Sequence, residues 1–408
     1  MGPLRYLRPL QHDSATPAPV DGPSRPPEGS ECPLPPLSLY IHIPWCLRKC
    51  PYCDFNSHAL PAALDEGAYV AALLQDLEAQ LPDVGERPLT SIFIGGGTPS
   101  LFSARSVGAL LEGIAARAPL APDLEVTLEA NPGTLEAGRY AGYRAAGVNR
   151  LSIGAQSLDA GQLQGLGRIH GPEEIRAAVA AARAAGLDDL NLDLMYGLPG
   201  QSPAAALADL QGVIDLGPGH LSWYQLTLEP NTPFHHSPPP LPPDEALWEM
   251  RQAGLERLAA AGLAQYEVSA HARPGRRCRH NLNYWTFGDY LGIGAGAHGK
   301  LTRGPGQVLR RARPRGPQAY LRGPCEASER RLGAEELVLE FMLNALRLTE
   351  GVPLGLFGAR TGLGPEALGP GLAMARERGL LEVAPGRLCP TELGRRFLDD
   401  LLLLFMPP

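Results

Sequence analysis

The sequence has no uninterrupted run of about 20 apolar residues, the length that an α-helix needs to cross a bilayer. It also lacks an excess of positive charge: 36 Lys and Arg residues are outnumbered by 43 Asp and Glu residues, and the formal net charge is -7. The N-terminus lacks the succession of charged, apolar and small residues that is typical of a secretory signal. We therefore expect a cytoplasmic protein with no transmembrane segment and no general affinity for nucleic acid, while a peripheral contact with a membrane stays open.

Cysteine is scarce, with seven residues in a chain of 408. The number is odd, and Cys46, Cys50 and Cys53 lie together in one short segment. The disulfide framework of a secreted protein would not have this distribution. Three clustered thiols indicate a metal site in a reducing compartment instead.

The chain divides by composition into four parts. Residues 1–36 are rich in Pro, Gly and Ser and show no apolar periodicity, which predicts a disordered extension. Residues 37–300 alternate between short β-type runs and amphipathic helices such as Asp65–Leu81. An Arg/Gly/Pro-rich linker over 301–332 and a small, mainly helical C-terminal domain over 333–408 complete the prediction.

The alternation predicts an α/β fold with six parallel strands joined by right-handed crossovers. Six strands are too few to close an eight-stranded barrel, so we expect an open, partial (β/α)6 barrel of the TIM type with its chemistry at the carboxyl ends of the strands. In the C-terminal domain we expect helices over Ala334–Leu346 and Thr391–Phe405. The predicted strands are Leu39–Ile43, Ser91–Ile94, Leu124–Leu128, Arg150–Ile153, Leu190–Met195 and Leu221–Leu228.

The cysteines have the spacing C-x3-C-x2-C and directly follow the first predicted strand. Three thiolates on a short loop can hold a [4Fe–4S] cluster and leave one iron without a protein ligand. That iron can bind the amino and carboxylate groups of S-adenosylmethionine, and one electron from the cluster would then cleave the sulfonium to a 5′-deoxyadenosyl radical. The alternative is a zinc site completed by His42 or His58, but zinc usually takes four ligands and no second C-x-x-C pair exists. Of the other cysteines, only Cys278, near His280, is a weak functional candidate.

Polar and glycine residues follow the next strands. Gly95-Gly96-Gly97-Thr98 comes after the second strand, where glycines would let the backbone approach a ligand; a purely structural turn is the alternative. Glu129 and Gln156 end later strands, and Asp193 lies within an otherwise apolar one. Their side chains could bind ribose hydroxyls or the aminoacyl end of the cofactor, or only cap helices. A buried acid is costly without a partner, so Asp193 is the strongest of these three candidates for a ligand-binding role.

Two motifs carry a family resemblance: Cys50-Pro51-Tyr52-Cys53-Asp54-Phe55-Asn56-Ser57 and His280-Asn281-Leu282-Asn283-Tyr284-Trp285. From about Leu37 onward the chain resembles the radical-SAM coproporphyrinogen III oxidase family, and these motifs resemble those of its haem-chaperone branch. The oxidases have a further cysteine two positions after the third, where this chain has Phe55. The departure favours a haem carrier over an oxidase that decarboxylates coproporphyrinogen III, which is the alternative function.

The resemblance implies a radical-SAM core that holds a [4Fe–4S] cluster on Cys46, Cys50 and Cys53. It also implies haem as cargo, acceptor haemoproteins such as respiratory enzymes as partners, and an electron donor for the cluster. Tyr52 would pack on the adenine of S-adenosylmethionine. The other residues that would line the cofactor site are Tyr40, Gly96, Gly97, Thr98, Glu129, Gln156, Arg168 and Asp193.

Two histidines are candidates for the axial ligand of haem. His280 is followed by Tyr284 and Trp285, so its imidazole could lie beside flat aromatic side chains; a loop histidine bonded to the backbone is the alternative. His298 ends the run Gly292–His298, whose glycines predict backbone packed against a ligand or against the cysteine loop. Basic residues before His280 could meet the haem propionates or form a solvated charged face.

Overall fold

The structure is a computed structural model that describes residues 34–133, 138–384 and 386–407. All but the last three residues of the predicted N-terminal extension lie outside the described residues. The strands are β1 (Leu37–Ile43), β2 (Trp45–Cys46), β3 (His58–Ala59), β4 (Leu89–Gly96), β5 (Leu120–Ala130), β6 (Arg150–Gln156), β7 (Leu190–Tyr196), β8 (His220–Gln225), β9 (Ala264–Gln265), β10 (Ala270–Ala272), β11 (Asp289–Ile293), β12 (His298–Gly304), β13 (Gln307–Ala312), β14 (Ser328–Arg331), β15 (Val352–Pro353), β16 (Leu381–Ala384) and β17 (Arg387–Pro390).

Helices follow most of the strands, and several begin at a residue that satisfies their free backbone N–H groups. Asp65 accepts a hydrogen bond from the backbone N–H of Ala68 and so caps the first helix. The helices are α1 (Glu66–Gln80), α2 (Ala104–Ala115), α3 (Tyr140–Ala145), α4 (Ala160–Gly165), α5 (Pro172–Ala184), α6 (Pro203–Asp215), α7 (Pro233–His236), α8 (Asp244–Ala260), α9 (Arg279–Trp285), α10 (Pro317–Arg322), α11 (Ala334–Ala345), α12 (Leu354–Thr361), α13 (Gly369–Glu377), α14 (Glu392–Arg396) and α15 (Leu398–Leu403), with 3-10 turns at Leu81–Asp83, Pro99–Leu101 and Pro365–Leu368.

Twelve strands form one sheet in the order β14-β13-β12-β11-β1-β4-β5-β6-β7-β8-β10-β9. The six predicted strands are present as β1, β4, β5, β6, β7 and β8, each parallel to its neighbour in chain order. A seventh strand, β11, pairs in parallel with β1 on its other side. Antiparallel strands follow at both ends of this parallel set, so the sheet is an open, partial barrel as predicted.

The Arg/Gly/Pro-rich segment over 301–332 extends the sheet. It contains most of β12, then β13, α10 and β14. The strand β13 pairs in antiparallel with β12 on one side and with β14 on the other. Its arginines make the segment look like a linker, yet they form ion pairs on the polar face: Arg310 with Glu340, and Arg311 with Asp83 and Glu329. An antiparallel edge with one solvated face carries this polar composition without being unstructured.

The C-terminal part combines five helices, α11 to α15, with the three-stranded sheet β15-β17-β16. The single helix predicted over Thr391–Phe405 is two short helices that meet at Phe397, whose φ of -114° and ψ of 49° are not helical. The apolar core of this part also includes Phe287 and Val308, so it packs directly against the barrel. Among the described residues, the structure contains no helix long and apolar enough to span a membrane.

Candidate functional site

Cys46, Cys50 and Cys53 lie on one loop at the carboxyl end of β1. β2 and β3 pair in parallel at the two ends of this loop and close it. The backbone N–H of His58 donates to the carbonyl of Pro44 at 2.7 Å, and that of Leu60 donates to the carbonyl of Cys46 at 3.0 Å. All three cysteines are unpaired and half-buried, so the loop presents three thiols from a backbone fixed at both ends.

The surroundings of Cys46 and Cys53 favour the protonated thiols when no metal is bound. Burial raises the pKa of Cys46, and burial raises the pKa of Cys53 to about 11. Arg168 Nη1 lies 3.9 Å from Cys50 Sγ and brings a positive charge to the loop. A metal centre would displace the thiol protons, and the charge of the metal would offset the cost of holding thiolates there.

The loop does not have the geometry of a zinc site. Sulfur ligands of one tetrahedral zinc, each about 2.3 Å from the ion, lie about 4 Å from one another. The three cysteine sulfurs do not form a group with all atoms within 4.8 Å of one another. His42 is also committed elsewhere, because Nδ1 bonds Tyr40 Oη at 2.7 Å and Nε2 bonds the carbonyl of Asn56 at 2.8 Å. His58 Nε2 contacts the carbonyl of Arg315 at 3.2 Å.

The glycine loop after β4 packs against the chain that enters the cysteine loop. A side chain on Gly97 would place its Cβ 2.6 Å from the carbonyl oxygen of Trp45. The N–H of Gly97 donates to Ile43 and that of Thr98 donates to Trp45, both at 2.7 Å. Gly96 has a φ of +118°, and its N–H donates to Glu129 Oε2 at 3.0 Å. The closest approach at Gly97 is therefore to protein backbone, where any Cβ would collide.

Glu129, near the end of β5, and Asp193, in the middle of β7, place two carboxyl groups close together. Burial and the neighbouring charge of Asp193 raise the pKa of Glu129 to about 8. Burial also raises the pKa of Asp193, although Asn191 Nδ2 donates to it at 2.7 Å and Ser152 Oγ at 3.3 Å. No cation of the described residues pairs with these acids at hydrogen-bond distance, so the wall has capacity for a ligand that carries hydroxyl or ammonium groups.

Arg168 joins the cysteine loop to this wall. Its Nη2 donates to Asn131 Oδ1 and to the carbonyl of Gly154, both at 2.8 Å. Asn131 Nδ2 in turn donates to Thr98 Oγ1 at 3.1 Å. A chain of hydrogen bonds therefore connects Cys50, Arg168 and the glycine loop, residues that are far apart in sequence.

The remaining predicted cofactor residues lie around the same end of the sheet. Tyr52 packs against Phe234, with ring centroids 6.5 Å apart, in a small apolar cluster. Gln156 has a φ of +67° and accepts a hydrogen bond from Tyr224 Oη at 2.7 Å. The hydroxyl of Tyr40 bonds Nδ1 of His42 at 2.7 Å.

A cavity of about 220 Å³ lies inside the barrel, between the carboxyl wall and α9. Its lining is mostly polar, and the side chains come from five strands and from α9 and the residue before it. The lining residues are Phe93, Thr127, Glu129, Arg150, Ser152, Asn191, Asp193, His220, Ser222, Cys278, His280 and Asn281.

His280 lines this cavity and is 4% exposed. Its ring stacks on Phe93 with centroids 4.1 Å apart, and Nδ1 pairs with Glu125 Oε1 at 2.9 Å. Cys278 Sγ lies 3.1 Å from Nδ1 and 3.3 Å from Nε2. Both ring nitrogens therefore have protein neighbours, and haem could reach this imidazole only if α9 moved.

Glu125 is a residue of this site that the sequence did not single out. It accepts hydrogen bonds from the backbone N–H groups of Arg279 and His280 and so anchors the start of α9. Although burial opposes its charge, the bonds from His280 hold the pKa of Glu125 at about 2. In the described part of the chain, Glu125, Cys278 and His280 form the one group of three potential metal ligands whose atoms lie within 4.8 Å of one another. Arg150 Nη1 lies 3.9 Å from Glu125, so the guanidinium already supplies a positive charge there. In the sequence, the one signal for Glu125 was the position of an acidic residue within the alternating pattern of β5.

His298 is exposed at the start of β12. The glycines before it pack against the surroundings of the cysteine loop: a Cβ on Gly294 would lie 2.3 Å from the carbonyl oxygen of His42, and one on Gly296 would lie 2.2 Å from Asn56 Nδ2. The basic residues before His280 form ion pairs at the surface. These are Arg276 with Asp189, Arg277 with Glu350, and Arg279 with Asp123.

Two family models match the chain. Residues 40–211 match the radical SAM superfamily, and residues 332–397 match the HemN C-terminal domain. Relatives extend this similarity over almost the whole length. The chain is 52% identical to the haem chaperone HemW of Escherichia coli K12 over 373 residues, which covers 91% of this chain and 99% of the relative. It is 49% identical to HemW of Haemophilus influenzae, covering 91% and 98%.

A relative from an animal and one solved structure complete the comparison. The mouse protein, mitochondrial radical S-adenosyl methionine domain-containing protein 1, is 39% identical, covering 91% of this chain and 87% of its own. The crystallised coproporphyrinogen III oxidase HemN of E. coli superposes with a TM-score of 0.77 at 22% identity, covering 91% of this chain and 90% of that chain. At 22% identity, the similarity to HemN shows a shared fold.

Proposed function

The chain belongs to the radical SAM superfamily and, within it, to the HemW family, and on this basis we propose that it binds haem and passes it to acceptor haemoproteins such as respiratory enzymes. The relatives that carry the name haem chaperone match it at 52% and 49% identity along nearly their whole length. An electron donor for the cluster is part of the proposal.

The proposal includes a [4Fe–4S] cluster on Cys46, Cys50 and Cys53. The donor set fits it: three thiols lie on a closed loop, and the nearby His42 has both nitrogens engaged, so this histidine does not compete for the last iron. When bound, the cluster would supply one-electron chemistry to S-adenosylmethionine. The paired carboxyls of Glu129 and Asp193 suit the hydroxyl and amino groups of that cofactor, and Arg168 holds the cysteine loop against this wall.

The size of the internal cavity supports the choice of a carrier over an oxidase. Sites for drug-sized ligands usually measure about 300–1,000 Å³. The cavity inside this barrel measures about 220 Å³, and α9 with its stacked His280 closes its lower end. A tetrapyrrole does not fit there together with a cofactor, so a haem-sized ligand would bind outside the barrel. Phe55, 58% exposed where the oxidases carry a further cysteine, agrees with this choice.

The two histidines that the sequence singles out differ in their accessibility to haem. His298 has an exposed ring, whereas His280 would have to give up its bond to Glu125. We therefore expect His280→Ala to lower the free energy of unfolding of the protein and to leave its affinity for haem nearly unchanged.

The test combines two measurements on the same anaerobically reconstituted protein. Haem is titrated while absorbance difference spectra are recorded, and coproporphyrinogen III is incubated in parallel with S-adenosylmethionine and a reductant. We expect binding of about one haem per chain and no loss of the propionate carboxyls as carbon dioxide. Turnover of coproporphyrinogen would overturn the proposal in favour of the oxidase. The absence of haem binding would overturn the carrier function by itself.

A further inference from the structure

A shallow groove lies beside the cysteine loop, and its floor includes Cys50, Asn131, Gly167 and Arg168 of the cluster loop and the cofactor wall. One side is formed by Leu47 and Arg48 of the cysteine loop, and the other by Ile169 and His170, which follow α4. Leu47 is 52% exposed and Ile169 is 53% exposed, so both present aliphatic surface to solvent. Two separate segments therefore bring apolar surface, a cation and an imidazole to one place.

His170 is not held by the rest of the protein in the way that a structural histidine usually is. Its Nδ1 is buried and has no hydrogen-bond partner. A buried imidazole nitrogen without a partner costs free energy, so a ligand that draws the ring into a new position would relieve that cost. The glycine before this segment, Gly167, has a φ of +72° and directs the chain against Pro51 of the cysteine loop.

We propose that this groove is the haem-binding surface, with His170 as the axial ligand, Leu47 and Ile169 against the porphyrin plane and Arg48 toward a propionate. Haem needs these features together: an imidazole for the iron, apolar contact for the ring and a cation for the carboxylates. The buried imidazole of His280 leaves no space for haem. None of the large exposed apolar side chains lies on β12, the strand of His298. The inference rests on the proposed function, since it assigns the place where that cargo binds.

The shape of the groove is consistent with a cargo that has to leave again. It encloses only about 20 Å³, so a flat ligand lies across it and keeps one face open. An acceptor protein could then contact the exposed face of the haem and its iron before the bond to His170 breaks. The groove also includes Cys50, which places the cargo beside the proposed cluster.

The experiment separates ligation of the iron from contact with the ring. Ferric haem and metal-free protoporphyrin IX are each titrated into reconstituted wild type, His170→Ala and Ile169→Asp, with iron and sulfide contents measured on every sample. His170→Ala should weaken ferric haem about tenfold or more and shift its Soret band, while binding of the metal-free ring is nearly unchanged. Ile169→Asp should weaken both, because it places a charge against the apolar ring.

Matched controls come from residues of similar exposure elsewhere. Leu403 is 59% exposed in the C-terminal part, and His236 is an exposed histidine at the end of α7. Leu403→Asp and His236→Ala should leave both titrations unchanged. If wild type binds haem while His170→Ala and Ile169→Asp bind it equally well, the groove assignment is wrong and the carrier function stands. If wild type binds no haem, the proposed function itself fails.

Discussion

At the scale of single residues, the site depends on groups whose ionisation the fold has shifted. Burial favours the thiol form of Cys46 and Cys53, and it favours the neutral form of Glu129. Each of these side chains would be ordinary in water. Buried together, they are suited to partners that bring positive charge or hydrogen bonds.

Replacing Cys46, Cys50 or Cys53 with Ala should remove the iron of the anaerobically purified protein. Each thiolate would be one of only three protein ligands, so two remaining ligands should not retain a cluster of about four irons. Iron and sulfide analysis measures the outcome. Cys325→Ala and Cys389→Ala are the controls, because these cysteines lie away from the loop, and they should keep full iron. Full retention in all three loop variants would contradict the cluster assignment.

Glu129 should make stability depend on pH. Its pKa rises from 4.5 to about 8 on folding, so between these values the folded state holds a proton that the unfolded state has lost. The contribution is therefore fully present below about pH 4.5 and is lost as the pH rises toward 8. Glu129→Gln removes the titration, so the unfolding free energy of the variant relative to wild type should rise with pH, by at most about 1.4 kcal/mol per pH unit.

Urea denaturation of cofactor-free protein at several pH values measures this difference. Titrating groups that do not interact with Glu129 are common to both proteins and cancel in the comparison, whereas Asp193, whose charge raises the pKa of Glu129, contributes to the difference. A difference that does not change between about pH 5 and pH 8 would show that Glu129 is already charged in the folded protein.

At the scale of elements, the glycine loop after β4 and the cysteine loop after β1 support each other. Gly97 packs without a side chain against the backbone of Trp45, one residue before the first cysteine. The parallel pairing of β1 with β4 brings the two loops to the same edge of the sheet. A change in either loop should therefore be felt by the other.

Gly97→Ala should lower both thermal stability and cluster content. Its Cβ would lie 2.6 Å from the carbonyl oxygen of Trp45, a distance at which the backbone has to move and the cysteine loop moves with it. Iron analysis and the unfolding temperature measure the two effects. The control is Gly165→Ala in α4, where a Cβ meets nothing within 4 Å; it should be neutral or stabilise by about 0.5–1 kcal/mol. Equal iron contents in the two variants would show that the cysteine loop is independent of its neighbour.

At the scale of the whole molecule, the apolar core of the C-terminal helices includes Phe287 and Val308 from the barrel part of the chain. Phe341 of α11 packs on Phe287, which follows α9, with ring centroids 5.7 Å apart. The ammonium of Lys300 lies 4.1 Å from the centre of the Phe287 ring and bonds Asp289 at 3.0 Å. We expect the two parts to unfold together.

Phe341→Ala should destabilise the whole molecule by about 3–5 kcal/mol, because it opens a cavity in this shared core. Calorimetry should show one transition at a lower temperature, and the fluorescence of Trp45 and Trp223 in the barrel should follow it. Leu403→Ala, at an exposed position, should change stability by no more than about 0.5 kcal/mol. Two transitions, of which only one shifts, would contradict the shared core.

The sequence by itself determined the features that depend on local pattern. The spacing of the cysteines, the six alternating strands and the polar residues at strand ends are short-range signals, and each predicted strand is present in the sheet. The sequence also indicated the family through two motifs of a few residues each, and the comparisons confirm that membership.

Only the tertiary structure decided what depends on contacts between distant segments. It paired β11 with β1, ordered the Arg-rich segment as an edge of the sheet, enclosed His280 with Glu125, and brought Ile169 and His170 beside Leu47. A histidine beside aromatic residues looks like a ligand in sequence, yet its availability depends on burial, and burial is set by residues more than 100 positions away. Pattern along the chain fixes which side chains can do chemistry, and packing fixes which of them remain free to do it.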